Sequence, residues 1–249
     1  MITDSYDILT EPIASPRAFY GEQRHLCDLC IVIFSKVIYE SVLSRFACQK
    51  VAEIGACNGA IPIYTFAHEG RVIAFYLTGI GSTAAATNVI EANWLTGATK
   101  FIMFGSAGSL CREETANRFV VPTAAYRDEG MSYHYAPPAD YIDVPGAARV
   151  AEIFDELRVP YVLGRSWTTD AFYRETRGLM AKRVSEGCLA VEMELAGVQA
   201  VCDFHGFKLY NFLATGDVLD QPEYTPEGLH QANHALDKFD LALEIAKRV

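Results

Sequence analysis

The sequence lacks the features of membrane, exported and multidomain proteins. Its longest apolar runs fall far short of the roughly 20 residues that a membrane-spanning helix needs. The first residues show no basic flank followed by an apolar run, as a signal peptide would. No Pro/Ser-rich linker, low-complexity stretch or repeat divides the 249 residues. We therefore expect a cytoplasmic protein without a membrane partner, folded as a single domain over residues 1–249.

Basic side chains and paired cysteines are also scarce. The formal net charge of −10 argues against a nucleic-acid-binding protein, which would show a basic face. Seven cysteines form an odd set without disulfide-framework spacing, which suits a reducing compartment. Cys27 and Cys30 form a CxxC pair, but a zinc ribbon needs a second pair and a redox motif needs a thioredoxin-like context. We expect no metal site, and we expect Cys30 to begin a buried strand.

The sequence is rich in hydrophobic residues, at 51%, and they follow alternating strand and helix patterns. Branched and aromatic runs predict strands at residues 30–35, 51–54, 61–66, 72–78, 101–104, 119–124, 161–167 and 209–215. Helical spacing predicts helices from 82 to Gly97, over 147–157, through Val198 to Gly206, and from Thr225 towards the C-terminus. This alternation predicts an α/β domain with three layers, in which helices cover a central mixed, largely parallel sheet.

Two carboxylates lie inside an otherwise apolar segment, LAVEMELAGV at residues 189–198. An ionised side chain there is costly unless something pairs with it. A surface strand or helix with solvated glutamates is the ordinary alternative. The apolar flanks instead favour a sheltered pocket for at least one of Glu192 and Glu194. A carboxylate in such a pocket can accept two hydrogen bonds from the adjacent hydroxyls of a sugar.

Two glycine-containing segments follow predicted strands, where ligands of open α/β sheets bind. The segment GIGST at 79–83 leads into a helix, whose N-terminal amides make an anion site for a group such as phosphate. An ordinary strand-to-helix turn is the alternative, since no Walker lysine is present. In the second segment, Gly105 and Gly108 allow the backbone to approach a flat ligand closely.

These segments together resemble the family of nucleoside phosphorylases and nucleosidases that share the purine and uridine phosphorylase fold. The VEME run at 191–194 is similar to the family signature, and the segments at 105–110, 121–130, 168–173 and 216–217 occur in the family's order. The resemblance covers the chain from about residue 30 to the C-terminus. It implies cleavage of an N-glycosidic bond without a cofactor, with inorganic phosphate as co-substrate. It also implies a homodimer or homohexamer in which a neighbour completes the site.

The resemblance also implies roles for single residues. Met193 and Glu194 match the ribose contacts of the family. The residues matched to the base site are Ser106, Ala107, Gly108 and Phe172. Asp217 matches the acid that, in purine-specific members, shares a proton with an imidazole nitrogen of the leaving base. A core phenylalanine and a turn aspartate are the ordinary alternatives for Phe172 and Asp217, and Asp220 is close enough in sequence to act instead.

The nucleophile is the open question. Family phosphorylases hold phosphate with a Gly-Asp-Pro-x-Arg turn after the first strand and with an arginine before the second glycine segment. Here Ser35 and Lys36 follow the first strand in place of that turn, and Met103 stands where the arginine would be. Each lost charge-assisted bond is worth about 1.5–3 kcal/mol. Water is therefore an alternative nucleophile. We favour phosphorolysis at a rebuilt site, whose predicted members are Ser35, Lys36, Thr78, Gly81 and Ser82.

The sequence does not assign every charged residue near these segments a role. Arg127 and Arg174 are further candidates for contact with an anion or a base, and the role of Glu192 is undecided. A uridine-specific enzyme is weaker than a purine-specific one as a hypothesis, because the glutamine and arginine that grip uracil do not follow Phe172 in the usual spacing. A nucleoside-binding protein without turnover comes last, since binding alone would not need an acid such as Asp217 beside the leaving group.

Overall fold

The computed structural model describes residues 5–55, 57 and 59–249. The strands in this part of the chain are β1 (Leu29–Ile33), β2 (Gln49–Ile54), β3 (Ile61–His68), β4 (Arg71–Leu77), β5 (Lys100–Ser109), β6 (Phe119–Asp128), β7 (Tyr141–Asp143), β8 (Tyr161–Thr169), β9 (Cys188–Glu192) and β10 (Lys208–Val218). The α-helices are α1 (Pro16–Tyr20), α2 (Lys36–Arg45), α3 (Ser82–Thr96), α4 (Arg112–Thr115), α5 (Ala147–Leu157), α6 (Arg177–Ser185), α7 (Leu195–His205), α8 (Leu229–His234) and α9 (Asp237–Arg248). Short 3₁₀ turns lie at Met131–His134 and Phe172–Arg174.

The long strand β5 connects the two halves of the sheet. Its first half pairs in parallel with β1, where Val32 is opposite Met103. It also pairs in parallel with β10, where Asn211 is opposite the same Met103. Its last residues pair with β9, where Gly108 is opposite Val191. Since β10, β6, β8 and β9 also pair in that order, these strands and β5 close into a ring. The ends of β1, β5, β9 and β10 are thereby brought together.

The domain is α/β with a mixed sheet, as predicted. Among the described residues, five strand pairs are parallel and five, mostly shorter, are antiparallel. The antiparallel pairs arise from the consecutive strands β2, β3 and β4, from the short strand β7, and from the two contacts that close the ring. The longest pairings, of β5 with β10 and of β6 with β8, are parallel, so the mixed, largely parallel sheet agrees with the prediction.

The predicted helix boundaries agree with the structure along most of the chain. Helix α5 spans the predicted residues, and α3 and α7 end at Gly97 and Gly206, both in the left-handed conformation. Cys30 lies in the buried strand β1, as predicted. Helices α3 and α7 pack against each other, while α5 and α9 pack together and contact β10 and β5 respectively. Every helix in the described ranges is too short or too polar to cross a lipid bilayer.

The C-terminal region differs from its prediction. The single helix expected from Thr225 is divided into α8 and α9, because Ala235 leaves the helical conformation with φ −63° and ψ 118°. Helix α8 begins only after Gly228, whose φ of 88° suits glycine. Thr225 instead forms an isolated bridge with Val218 at the end of β10. The break lets α8 and α9 take different directions, and both contribute to the cavity described below.

Candidate active site

A cavity of about 400 Å³ lies where the ends of β1, β5, β9 and β10 meet. Helices α8 and α9 and the 3₁₀ turn Phe172–Arg174 complete its wall. Of the residues with predicted site roles, it brings together Ser35, Lys36, Ser106, Ala107, Gly108, Phe172, Met193, Glu194 and Asp217. This volume and this mixture of apolar and polar groups suit a small organic ligand.

The two glutamates of the apolar segment have different environments. Glu192 is buried, and its Oε2 accepts hydrogen bonds from the backbone N–H groups of Glu194 at 2.8 Å and Leu195 at 2.7 Å. Its Oε1 accepts from the hydroxyl of Thr168, and from that of Ser166 at 3.4 Å. Burial raises the pKa of Glu192, although these bonds oppose the increase. Glu192 therefore fixes the start of α7 and has little capacity left for a ligand.

Glu194 has a free carboxyl oxygen on the cavity wall. Its Oε1 accepts a hydrogen bond of 2.6 Å from the N–H of Gly81, and no protein group in the described ranges is bonded to its Oε2. Burial and the charge of Glu192 raise the pKa of Glu194 to about 8. A ligand hydroxyl that donates to this carboxyl would favour its ionised form and stabilise the bound state.

Asp217 faces the cavity from β10 beside a second acid. It is 2% exposed, and its Oδ2 accepts a 3.0 Å hydrogen bond from the hydroxyl of Tyr224. Glu175, just after the 3₁₀ turn, lines the same cavity. Burial and the charge of Asp217 raise the pKa of Glu175 to about 7. The two carboxyl groups together can therefore hold one proton near neutral pH.

Residues 105–108 of β5 and Phe172 also line the cavity. A Cβ built on Gly108 would be 2.6 Å from Leu219 Cδ1 and 2.9 Å from Val191 Cγ1, so a larger residue there would require these side chains to shift. Ser106 donates its hydroxyl proton to Asn233 Oδ1 of α8. Phe172 is 37% exposed, which leaves part of its ring free to stack on a flat ligand. Asp220, the alternative acid, is exposed and accepts from the N–H of Arg112 instead.

Three residues predicted to bind phosphate lie apart from the cavity wall defined by the described residues: Thr78, Gly81 and Ser82. Thr78 accepts from Asn88, Ser82 donates to the carbonyl of Met193, and Gly81 donates to Glu194. The N–H of Gly81, the residue just before α3, is thus already bonded to a carboxylate of the protein itself. Lys36 does line the cavity, but its side chain is 77% exposed and lies 3.6 Å from Glu40.

The two arginine candidates also lie apart from the cavity wall in the described part of the chain. Arg127 is buried and donates to Ser132 Oγ at 2.8 Å and to the carbonyls of Pro137 and Ala136. Its guanidinium therefore stabilises the loop over residues 132–137 through hydrogen bonds. Arg174 is exposed in the turn that carries Phe172.

Several residues of the cavity had no sequence signal. Lys238 of α9 is 1% exposed and lines the cavity, and burial lowers the pKa of Lys238 to about 8. Asn211 is fully buried in β10 and leaves its Oδ1 without a partner among the described residues. His234 of α8 also had no sequence signal, and its Nδ1 is hydrogen-bonded at 2.7 Å to the Oγ of Ser35, a predicted phosphate residue. In the described ranges, no group of three or more His, Cys, Asp or Glu side chains is arranged to hold a metal ion.

Comparison with known proteins places this geometry in a family. The family model described as "Phosphorylase superfamily" matches residues 29–248. A DeoD-type purine nucleoside phosphorylase of Exiguobacterium is 26% identical over 189 residues, which are 74% of this chain and 76% of that protein. One from Caldanaerobacter subterraneus is 26% identical over 215 residues, 85% of this chain and 90% of that protein. The structure of futalosine hydrolase from Helicobacter pylori has the same fold, with a TM-score of 0.73 at 18% identity over 90% of this chain and 99% of that one.

Proposed function

Since the chain belongs to the phosphorylase superfamily, we propose that it cleaves the N-glycosidic bond of purine nucleosides, with inorganic phosphate as the acceptor. One observation carries the proposal. A single cavity contains Glu194, a half-buried carboxyl with one free oxygen, and, on the opposite side of residues 105–108, the acid pair of Asp217 in β10 and Glu175 after the 3₁₀ turn. A sugar and its leaving base require these two kinds of group in one site.

The ribose would bind beside β9. Two adjacent hydroxyls can donate to the carboxylate of Glu194, and the thioether of Met193 can pack on the sugar. The bond between Gly81 and Glu194 Oε1 fixes the carboxyl group before the ligand arrives. Such a pre-positioned acceptor loses little entropy on binding.

The base would lie along residues 105–108 of β5, with Phe172 against one face. As the bond between C1′ and N9 breaks, its electron pair moves onto the purine and the sugar becomes oxocarbenium-like. The acid pair then gives its proton to N7, and the purine departs as a neutral base. The incoming phosphate oxygen forms the new bond to C1′, and ribose 1-phosphate results.

Two observations support purines and phosphate in particular. Asp217 provides an acid where a purine has a basic ring nitrogen, which a pyrimidine nucleoside lacks at the corresponding place. The relatives from Exiguobacterium and Caldanaerobacter are named purine nucleoside phosphorylases. Hydrolysis is the second candidate, and Met103 favours it because an apolar side chain occupies the place of a family arginine. Water would then attack C1′ in the same cavity and give free ribose.

A panel of nucleosides tests the choice of base. With phosphate present, we expect inosine, guanosine or adenosine to be cleaved at least tenfold faster than uridine, since the acid contributes about 10²–10⁴ in rate only where it can protonate the leaving group. Each rate is measured as the release of free base, which is monitored by chromatography. Turnover of uridine alone would contradict the role given to Asp217.

A further inference from the structure

Lys238 has an unusual position for a lysine. Its side chain is 1% exposed, yet it lies on the wall of the cavity. The Nζ group donates to the carbonyl oxygens of Ala232 and, at 3.5 Å, Asn233. A lysine ammonium carries three donors, so these two bonds leave one N–H for a further acceptor. Among the described residues, no carboxylate forms an ion pair with this ammonium.

The buried charge of Lys238 is balanced by carbonyl dipoles and by the charge of the neighbouring Asp237, which does not form a direct ion pair with it. Removal of an ammonium from water is costly unless an opposite charge compensates it. Two carbonyl groups at the end of α8 explain why the side chain is ordered, and capping of this helix is the ordinary alternative role. That role does not require a place on the cavity wall. An anion that enters the cavity would supply the missing negative charge.

The cavity that Lys238 lines offers further polar groups for an anion. Strand register places Val32 and Asn211 on either side of Met103. Asn211, another lining residue, donates from Nδ2 to the Met103 carbonyl at 3.0 Å, and its Oδ1 is buried without a partner in the described part of the chain. This oxygen can accept from the O–H of a singly protonated phosphate. The hydroxyl of Ser35, paired with His234, lies on the same wall.

We propose that Lys238 is the residue that binds the phosphate acceptor, through its third N–H, with Asn211 Oδ1 accepting from the phosphate hydroxyl. The inference rests on the proposed function, in that it names how this site holds its second substrate. A cation from the C-terminal helix thus replaces the arginine that is absent at position 103. The amides of Gly81 and Ser82 have no part in it.

Binding of inorganic phosphate to the whole protein, without nucleoside, tests the proposal by titration calorimetry. Lys238→Met should bind phosphate about 10- to 100-fold more weakly than the wild type, as expected for loss of one charge-assisted hydrogen bond. Lys208→Met is the matched control, because Lys208 is exposed at the start of β10 and its loss changes the net charge equally. Lys238→Arg should recover part of the affinity. Equal affinity in wild type and Lys238→Met would overturn the proposal.

A second measurement uses the unchanged protein and so does not depend on the folding of a variant. Crystals soaked in arsenate, which carries a protonated oxygen near neutral pH as phosphate does and whose anomalous scattering locates it, should show the anion within hydrogen-bond distance of Lys238 Nζ. Arsenate elsewhere, or at no site, would contradict the proposal.

The failure of this inference is distinguishable from the failure of the proposed function. Ribose 1-phosphate formation with unchanged phosphate affinity in Lys238→Met would reject Lys238 alone. Free ribose as the product, with phosphate still bound through Lys238, would reject the proposed acceptor but leave the anion site.

Discussion

Asp217→Asn is expected to lower kcat for inosine by about 10²–10⁴, because the acid pair loses the carboxyl group that passes the shared proton to the leaving purine. The fold should survive, since Tyr224 can still donate its hydroxyl proton to the asparagine oxygen. Initial rates of hypoxanthine release and the melting temperature measure the two effects separately. Asp220→Asn is the matched control, because Asp220 is exposed and bonded to the N–H of Arg112. Equal losses in the two variants would contradict the assignment.

The same acid pair predicts a pH dependence. Burial and the charge of Asp217 raise the pKa of Glu175 to about 7. The protonated form is the active one, so kcat should be retained below pH 7 and fall as the pH rises through about 7. In Asp217→Asn the neighbouring negative charge is gone, which lowers the pKa of Glu175, so the residual kcat should begin to fall at a lower pH than in the wild type. If kcat fell at the same pH in both proteins, another group would supply the proton.

Glu194→Gln and Glu192→Gln are expected to give opposite phenotypes. Glu194→Gln should lower kcat/KM about 10- to 100-fold, since a neutral amide replaces the charged acceptor of the ribose hydroxyls. Its melting temperature should stay near that of the wild type, because an amide oxygen can still accept from the N–H of Gly81. Assays with inosine and thermal unfolding of both variants provide the comparison.

Glu192→Gln is expected to destabilise the protein instead. The amide has one acceptor oxygen where the carboxylate uses two, so either the N–H groups at the start of α7 or the hydroxyls of Thr168 and Ser166 lose their acceptor. Each such loss costs about 1–3 kcal/mol in the free energy of unfolding. If both variants lost activity equally and neither melted earlier, both carboxylates would have to contact the ligand.

The sequence predicts the site residues at the strand ends better than those that α8 and α9 contribute. Two glutamates among apolar neighbours indicate a sheltered carboxylate, because burial of charge is costly whatever the tertiary structure. Lys238 gives no such signal, since a lysine in an amphipathic helix is ordinarily solvated. Its burial depends on the break at Ala235, which brings the carbonyls of α8 to its ammonium. Local periodicity does not show that break.

The start of α3 illustrates the same limit. Its amide groups are a local property, and the sequence correctly predicts the helix from Ser82. The partner of the Gly81 amide is Glu194, from a distant segment, and only the packing of α3 against α7 brings them together. An anion site predicted from a helix start therefore depends on whether the protein's own carboxylates already occupy it.

Product analysis of inosine cleavage, with and without phosphate, tests the central claim most directly. The wild-type enzyme is incubated with inosine in phosphate buffer and in phosphate-free buffer, and ribose 1-phosphate is separated from free ribose. We predict strict dependence on phosphate, with ribose 1-phosphate formed in equal amount to hypoxanthine. Free ribose released at an undiminished rate without phosphate would contradict this prediction and identify water as the acceptor.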